Sequence, residues 1–165
     1  MLLPNTLTKK SSPSAKVSLE SLAGHYIRRL QQIAVAIFLQ ENEQHGLTPV
    51  QYAALQAVRN SPGLDQRSLA RSIGFDTSTI AGVIDRLESR GLVRRNSSPD
   101  DRRVRLLQAT ADGIELLDAA LPSVLRTQDR ILEPLSPAER AEFLRMLHRL
   151  VDANNGLSRA PSRGA

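Results

Sequence analysis

The 165-residue sequence predicts a mainly α-helical fold with one small β-hairpin. Three observations point there. Apolar residues recur at spacings of three and four, capping residues and glycines cut that pattern into six segments, and two short β-prone runs flank a charged tip.

The first helix is expected over about 17–44, where Leu22, Tyr26, Leu30, Ile33 and Ile37 form one apolar stripe that Ala34 and Phe38 widen. Gly46 is its stop signal. Thr48, Pro49 and Gln51 then supply an N-cap, a proline at the first helical position and the glutamine of a capping box. They open a second helix over about 49–60, with Tyr52, Leu55 and Val58 facing inward, and Ser61-Pro62-Gly63 closes it. Asp65 caps a short third helix, 66–72, with Leu69 and Ala70 toward the core. Ile73-Gly74-Phe75 reads as a tight turn. Asp76 caps a fourth helix over about 77–90, whose buried side holds Ile80, Val83, Ile84 and Leu87, and Gly91 ends it.

The hairpin follows, with Leu92–Asn96 and Val104–Gln108 joined by the tip Ser97–Arg103. Thr110 caps a long fifth helix, with Asp112 and Glu115 near its positive end. Ile114, Leu117, Leu121 and Leu125 continue one face, and Pro122 marks the place for a bend. Ser136-Pro137-Ala138-Glu139 is a second capping box and opens a sixth helix carrying Phe143, Leu147, Leu150 and Val151 on one side. The stretches 1–16 and 153–165, rich in small and polar residues, are expected to be disordered tails.

Composition closes off several kinds of chemistry. With no cysteine there are no disulfides, thiolate metal sites or cysteine nucleophiles. Aromatic residues make up 3% of the chain and tryptophan is missing, which argues against a stacking platform for single strands. No apolar run approaches the roughly 18 residues of a membrane span, so no membrane partner is expected and the cytoplasm is the expected location. His25, His45 and His148 have no metal-ligand spacing. Nothing resembles a phosphate loop, a nucleophile elbow or a metal-hydrolase motif. Neither an enzyme nor a cofactor is expected.

The net charge of +5 equals the five cations of the two tails, Lys9, Lys10, Lys16, Arg159 and Arg163. The folded part therefore sums to zero, and its unevenness is what informs. Residues 94–105 hold five Arg against two Asp, or +3, whereas 111–152 hold five Arg against eight acids, or −3.

Two short helices joined at Gly74 and followed by a basic hairpin make a winged helix-turn-helix, and its chemistry suits duplex DNA. A helix enters the major groove when its outward residues are short or can bond to bases and phosphates. The outward side of the fourth helix offers Thr77, Ser78, Thr79, Gly82 and Arg86. The hydroxyls suit phosphates or base edges, Arg86 suits a guanine or a phosphate, and the free N–H groups of the helix start suit a phosphate. At the hairpin tip, Arg102 or Arg103 is expected to reach a minor groove, with Asp101 holding Arg103 by paired hydrogen bonds. The competing reading is a winged helix used only for protein–protein contact, which has no need of Arg102 and Arg103 beside small residues at 78, 79 and 82.

The stretch Leu69–Gly113 resembles the MarR family of bacterial regulators. The matching motifs are Thr77-Ser78-Thr79-Ile80, the run Asp85-Arg86-Leu87-Glu88-Ser89-Arg90-Gly91-Leu92-Val93, Asp101-Arg102-Arg103 and Thr110-Ala111-Asp112-Gly113. The family's leucine before that threonine is Ala109 here, which thins packing at the strand–helix junction. The resemblance extends over about 17–152 and implies a homodimer, with 17–47 and 110–152 as an all-helical dimerisation region around the winged unit 48–109. It further implies a cytoplasmic transcriptional repressor that reads a pseudo-palindromic operator through two helices about 34 Å apart. A small ligand, often an aromatic acid, would release the DNA. The lack of cysteine rules out the family's peroxide-sensing branch.

A pocket for such an anionic aromatic effector is expected where the dimerisation helices meet the winged unit. His25, Tyr26 and Arg29 on the first helix and Tyr52 on the second are the candidates, being a ring nitrogen, a cation and phenols around an apolar wall.

Overall fold

The structure is a computed structural model and describes residues 18–99, 101 and 103–158. Residues 1–17 and 159–165 and the wing residues Asp100 and Arg102 lie outside the described residues. Helices α1 (Ala23–Glu41), α2 (Pro49–Asn60), α3 (Gln66–Ser72) and α4 (Thr77–Ser89) precede strands β1 (Val93–Ser97) and β2 (Arg105–Ala109). Helices α5 (Ala111–Leu132) and α6 (Pro137–Asn154) follow. The expected mainly α fold with a β-hairpin wing is the observed one.

Capping sets most of these boundaries. Thr48 and Gln51 form a reciprocal capping box at α2, and Ser136 and Glu139 form another at α6. Asp65, Asp76 and Thr110 each accept the N–H three residues on, which starts α3, α4 and α5. Several boundaries depart from expectation, among them the end of α1, which falls at Glu41 with a separate 3-10 turn, Glu43–His45, after it. The first helix begins at Ala23, because Ser18 caps a separate 3-10 turn, Leu19–Ser21, and Leu22 is extended. Both strands lie one residue later, since the Leu92 N–H donates to the Leu87 carbonyl at 2.9 Å and so still belongs to the end of α4. Residues 153–158, expected within a disordered tail, finish α6 and form the 3-10 turn Asn155–Leu157. The Asn154 amide donates to the Leu150 carbonyl at 2.8 Å there, supplying one partner that the helix end lacks.

The core lies between α2, α3, α4 and the hairpin and is closed by α5. Leu55, Leu69, Ile80, Ile84, Leu87, Leu107 and Leu117 are fully buried. Gly74 takes the left-handed conformation (φ 70°) that turns the chain between α3 and α4, and the next N–H, of Phe75, donates back to Ala70 at 2.9 Å. The antiparallel hairpin pairs Val93 with Ala109 and Ser97 with Arg105. Its second strand is fixed to the body by the Leu107 N–H on the Leu64 carbonyl (2.8 Å) and the Gly63 N–H on the Leu107 carbonyl (2.9 Å).

The outer helices meet along a polar seam. Glu41 on α1 accepts from Arg126 (3.0 Å) and Arg130 (2.8 Å) of α5. Beside it the buried Asn42 donates to the Phe38 carbonyl at 3.0 Å and to the Thr127 hydroxyl at 3.5 Å. Several residues expected on apolar faces are not covered by this chain. Tyr26 and Ile33 of α1, Leu121 and Leu125 of α5, and Leu150 and Val151 of α6 are exposed, and α6 buries no residue at all.

Candidate nucleic-acid interface

Helix α4 divides cleanly into two faces. Ile80, Val83, Ile84 and Leu87 are buried, while Thr77, Ser78, Thr79, Gly82 and Arg86 are all exposed together, as their helical spacing requires. A Cβ added at Gly82 would meet nothing within 4 Å, so this face is open to close approach. Arg86 has no ion pair among the described residues and projects from the same surface.

At the start of α4 the chemistry differs from expectation. Asp76 accepts from the Ser78 hydroxyl (2.5 Å), the Thr79 N–H (2.8 Å) and the Thr79 hydroxyl (2.6 Å). These bonds, with the Ser78 hydroxyl first, hold its carboxyl well below the usual carboxylate range. The helix start, expected as a phosphate seat, therefore carries a fixed negative charge, and both hydroxyl protons are engaged within the chain.

The wing departs in a second way. Asp101 does not pair with the Arg103 guanidinium. Its carboxylate accepts the Arg103 backbone N–H at 2.9 Å, and its carbonyl accepts the Val104 N–H at 2.9 Å. Both bonds close the tip as an aspartate turn that engages one carboxylate oxygen, and Arg103 is exposed.

Arg95, one of the five arginines of the basic cluster, faces inward. Its guanidinium bonds to Asp85 at 2.6 Å and to Glu88, and its N–H donates to the Glu88 carboxylate at 3.2 Å. Burial of the side chain pulls the Arg95 pKa down, and the hydrogen bonds and charges of Asp85 and Glu88 together outweigh it, so the net shift is upward. The alternation of a strand carries the signal for this: Val93 is buried, so Arg95 shares its side and Arg94 does not. Arg94 instead bonds to Gln108 across the hairpin at 3.0 and 2.8 Å. Arg90, also unassigned from sequence, reaches the carbonyls of Gly46 (2.7 Å) and His45 (3.2 Å), bracing the end of α4 against the corner between α1 and α2.

The four candidate ligand residues do not converge within the chain. His25 and Tyr26 stack edge-on at 5.5 Å near the start of α1. Tyr26 lines an apolar groove of about 380 Å³ between α1, α5 and α6, with Leu30, Ile131 and Phe143. Tyr52 instead packs on Phe38 at 6.1 Å. Twelve residues of helix separate Tyr26 from Phe38, about 18 Å at 1.5 Å per residue. Burial pushes the Tyr52 phenol up. Phe38 lines a smaller cavity of about 210 Å³ with Gln31, Pro49, Thr127 and Gln128, at the junction of α1, α5 and the start of α2. Arg29 is exposed and lines neither.

Among the described residues no helix is long and apolar enough to cross a membrane, and no group of three His, Asp or Glu is placed to hold a metal ion.

Comparison with known proteins gives the geometry a context. Residues 47–104 match the MarR family. The chain is 30% identical over 154 residues to the HTH-type transcriptional repressor NicR of Pseudomonas putida, covering 90% of this chain and 98% of NicR. Bordetella bronchiseptica BpsR, whose DNA binding is regulated by 6-hydroxynicotinic acid, superposes with a TM-score of 0.79 at 31% identity, over 83% of this chain and 98% of BpsR. The transcriptional repressor CouR, solved on a 23-mer DNA duplex, superposes with a TM-score of 0.76 at 30% identity, over 83% and 99% of the two chains.

Proposed function

The chain belongs to the MarR family, and from that premise we propose that it is a homodimeric, sequence-specific DNA-binding transcriptional regulator. It represses from a pseudo-palindromic operator and leaves it when a small aromatic acid binds. The observation that carries this reading is the open outer face of α4, with small residues at 78, 79 and 82 and Arg86 beside them, tied through Arg95 to the wing that bears Arg103.

Thr77, Ser78, Thr79, Gly82 and Arg86 enter the major groove, and Asp101, Arg102 and Arg103 form the wing contact. The winged unit 48–109 is the reading head. The helices of 17–47 and 110–152 join two copies through the uncovered faces of α1, α5 and α6, which sets the heads about 34 Å apart on successive major grooves. The groove beside Tyr26 belongs to that interface. The effector takes the cavity at the α1–α2–α5 junction, where Tyr52 backs Phe38, and Thr127 and Gln128 offer a polar edge. NicR is a repressor and BpsR responds to an aromatic acid, which supports both the sign and the ligand class.

A salt titration against a duplex library tests the reading. Log affinity should fall steeply and linearly with log salt, since each neutralised phosphate contributes a slope of about 0.9. A monomer in solution, or no preference among duplexes at low ionic strength, would remove it. Thermal melts with a panel of aromatic acids, repeated with the selected duplex, test the effector.

A further inference from the structure

We infer that Asp76 determines the base preference of α4 by holding the Ser78 and Thr79 hydroxyls as pure acceptors, so that they select the amino groups of adenine and cytosine in the major groove. The inference rests on the DNA-binding reading above and deepens it.

A serine or threonine hydroxyl has one proton and two lone pairs, and is ordinarily free to give or to accept. Here both protons are committed to the two oxygens of one carboxylate, Ser78 to Oδ1 at 2.5 Å and Thr79 to Oδ2 at 2.6 Å. Hydrogen bonds to an ionised acceptor are about twice as strong as neutral ones, so a base edge does not pull these protons away. What remains on the outer face is lone pairs. In the major groove N7, O6 and O4 are acceptors, whereas adenine N6 and cytosine N4 carry the amino donors. Phosphate oxygens are acceptors too and meet a carboxylate at this point. The first turn of α4 therefore reads and does not anchor. Ser78 and Gly82 lie one turn apart on the same face, and the open space at Gly82 lets that face approach the bases. Because the Asp76 carboxyl titrates well below its usual range, it stays ionised across the pH range of a living cell.

The test compares the full chain with Asp76→Asn, Ser78→Ala and Thr79→Val in selection from a randomised half-site duplex library. Asparagine caps a helix as well as aspartate does. Its amide oxygen still accepts from the Thr79 N–H and the Ser78 hydroxyl, while its amide nitrogen replaces Oδ2 and turns the Thr79 proton outward. The unaltered chain should prefer adenine or cytosine by about fivefold at the position facing each hydroxyl, the value of one hydrogen bond. In Asp76→Asn the position facing Thr79 should shift toward guanine or thymine, and in Thr79→Val it should lose its preference without gaining another. If Asp76→Asn does not fold, the Ser78→Ala and Thr79→Val libraries decide alone: each must erase a preference for an amino-bearing base. An unchanged library in a folded Asp76→Asn overturns the inference and leaves DNA binding intact. So does the loss of a guanine or thymine preference in Ser78→Ala or Thr79→Val. An unaltered chain that selects no duplex overturns the underlying reading as well.

Discussion

Arg95 on the first strand of the hairpin bonds to Asp85 on α4 at 2.6 Å, and so joins two elements that the chain separates by a turn. Glu88 completes the clamp from the next turn of the same helix. Both acids are substantially exposed, with side chains 65% and 39% accessible, so the pairs contribute to orientation more than to stability. Arg95→Met should lower unfolding stability by only about 1 kcal/mol in urea titrations. Duplex affinity should fall several-fold with no change in salt slope, because Arg95 neutralises acids of its own chain. A slope reduced by about 0.9 would instead place Arg95 on a phosphate.

Arg103 and Arg86 should separate by mechanism. Arg103→Ala is expected to reduce the salt slope by about 0.9 if the side chain meets a phosphate, or to weaken binding at constant slope if it lies in a minor groove. Arg86→Ala should cost about 1–3 kcal/mol and relax preference at one position per half-site. Preference retained at every position would take Arg86 off the base edges.

Gly113 gives a stability test with an unambiguous sign. A Cβ there would lie 2.2 Å from the Leu92 carbonyl oxygen and 3.3 Å from Leu55 Cδ1, and the carbonyl is backbone that cannot turn aside. Helix propensity alone would make Gly113→Ala stabilising by about 1 kcal/mol. The clash should reverse that and destabilise by roughly 1–3 kcal/mol, read as a lowered denaturation midpoint.

The α1–α5 seam should be sensitive to acid. Hydrogen bonds from Arg130 and then Arg126 lower the Glu41 pKa below its ordinary 4.5. A folded-state value below the unfolded one means that stability is fully present above about 4.5 and is lost as pH falls through the lower folded value. Denaturation curves between pH 6 and pH 3 should therefore slope less in Glu41→Gln than in the unaltered chain; equal slopes would show that Glu41 does not contribute.

The exposed apolar faces predict an oligomeric outcome. Leu125→Glu on α5 and Leu150→Glu on α6 place charge on surfaces that this chain leaves open, so neither should disturb the winged core. Each should convert a dimer into a folded monomer by sedimentation. Dimers from both variants would assign the interface elsewhere.

Much of the fold was legible because its signals are local. Thr48-Pro49-Val50-Gln51 and Ser136-Pro137-Ala138-Glu139 each announce a helix start within four residues, and both form as written. The start of α1 was not, since its N-cap is Leu22, whose side chain cannot cap a helix. In the candidate site, residue positions were legible and bonding was not. Nothing near Asp76 states whether its carboxylate will take one N–H or two hydroxyls besides, and Asp101 served the chain turn rather than the guanidinium two residues on. The roles of Arg90 and Arg95 depend on elements that meet only after folding.

The inward turn of Arg95 also bears on how such a protein would search a chromosome. Arginines that face outward hold any stretch of duplex alike, and each one added lengthens the stay at wrong addresses. With Arg95 enclosed by two acids, the group sums to −1, one positive against two negative charges, and loose attraction around the hairpin is weaker than its arginine content suggests. One arginine fewer then adds to the sequence-independent hold on duplex.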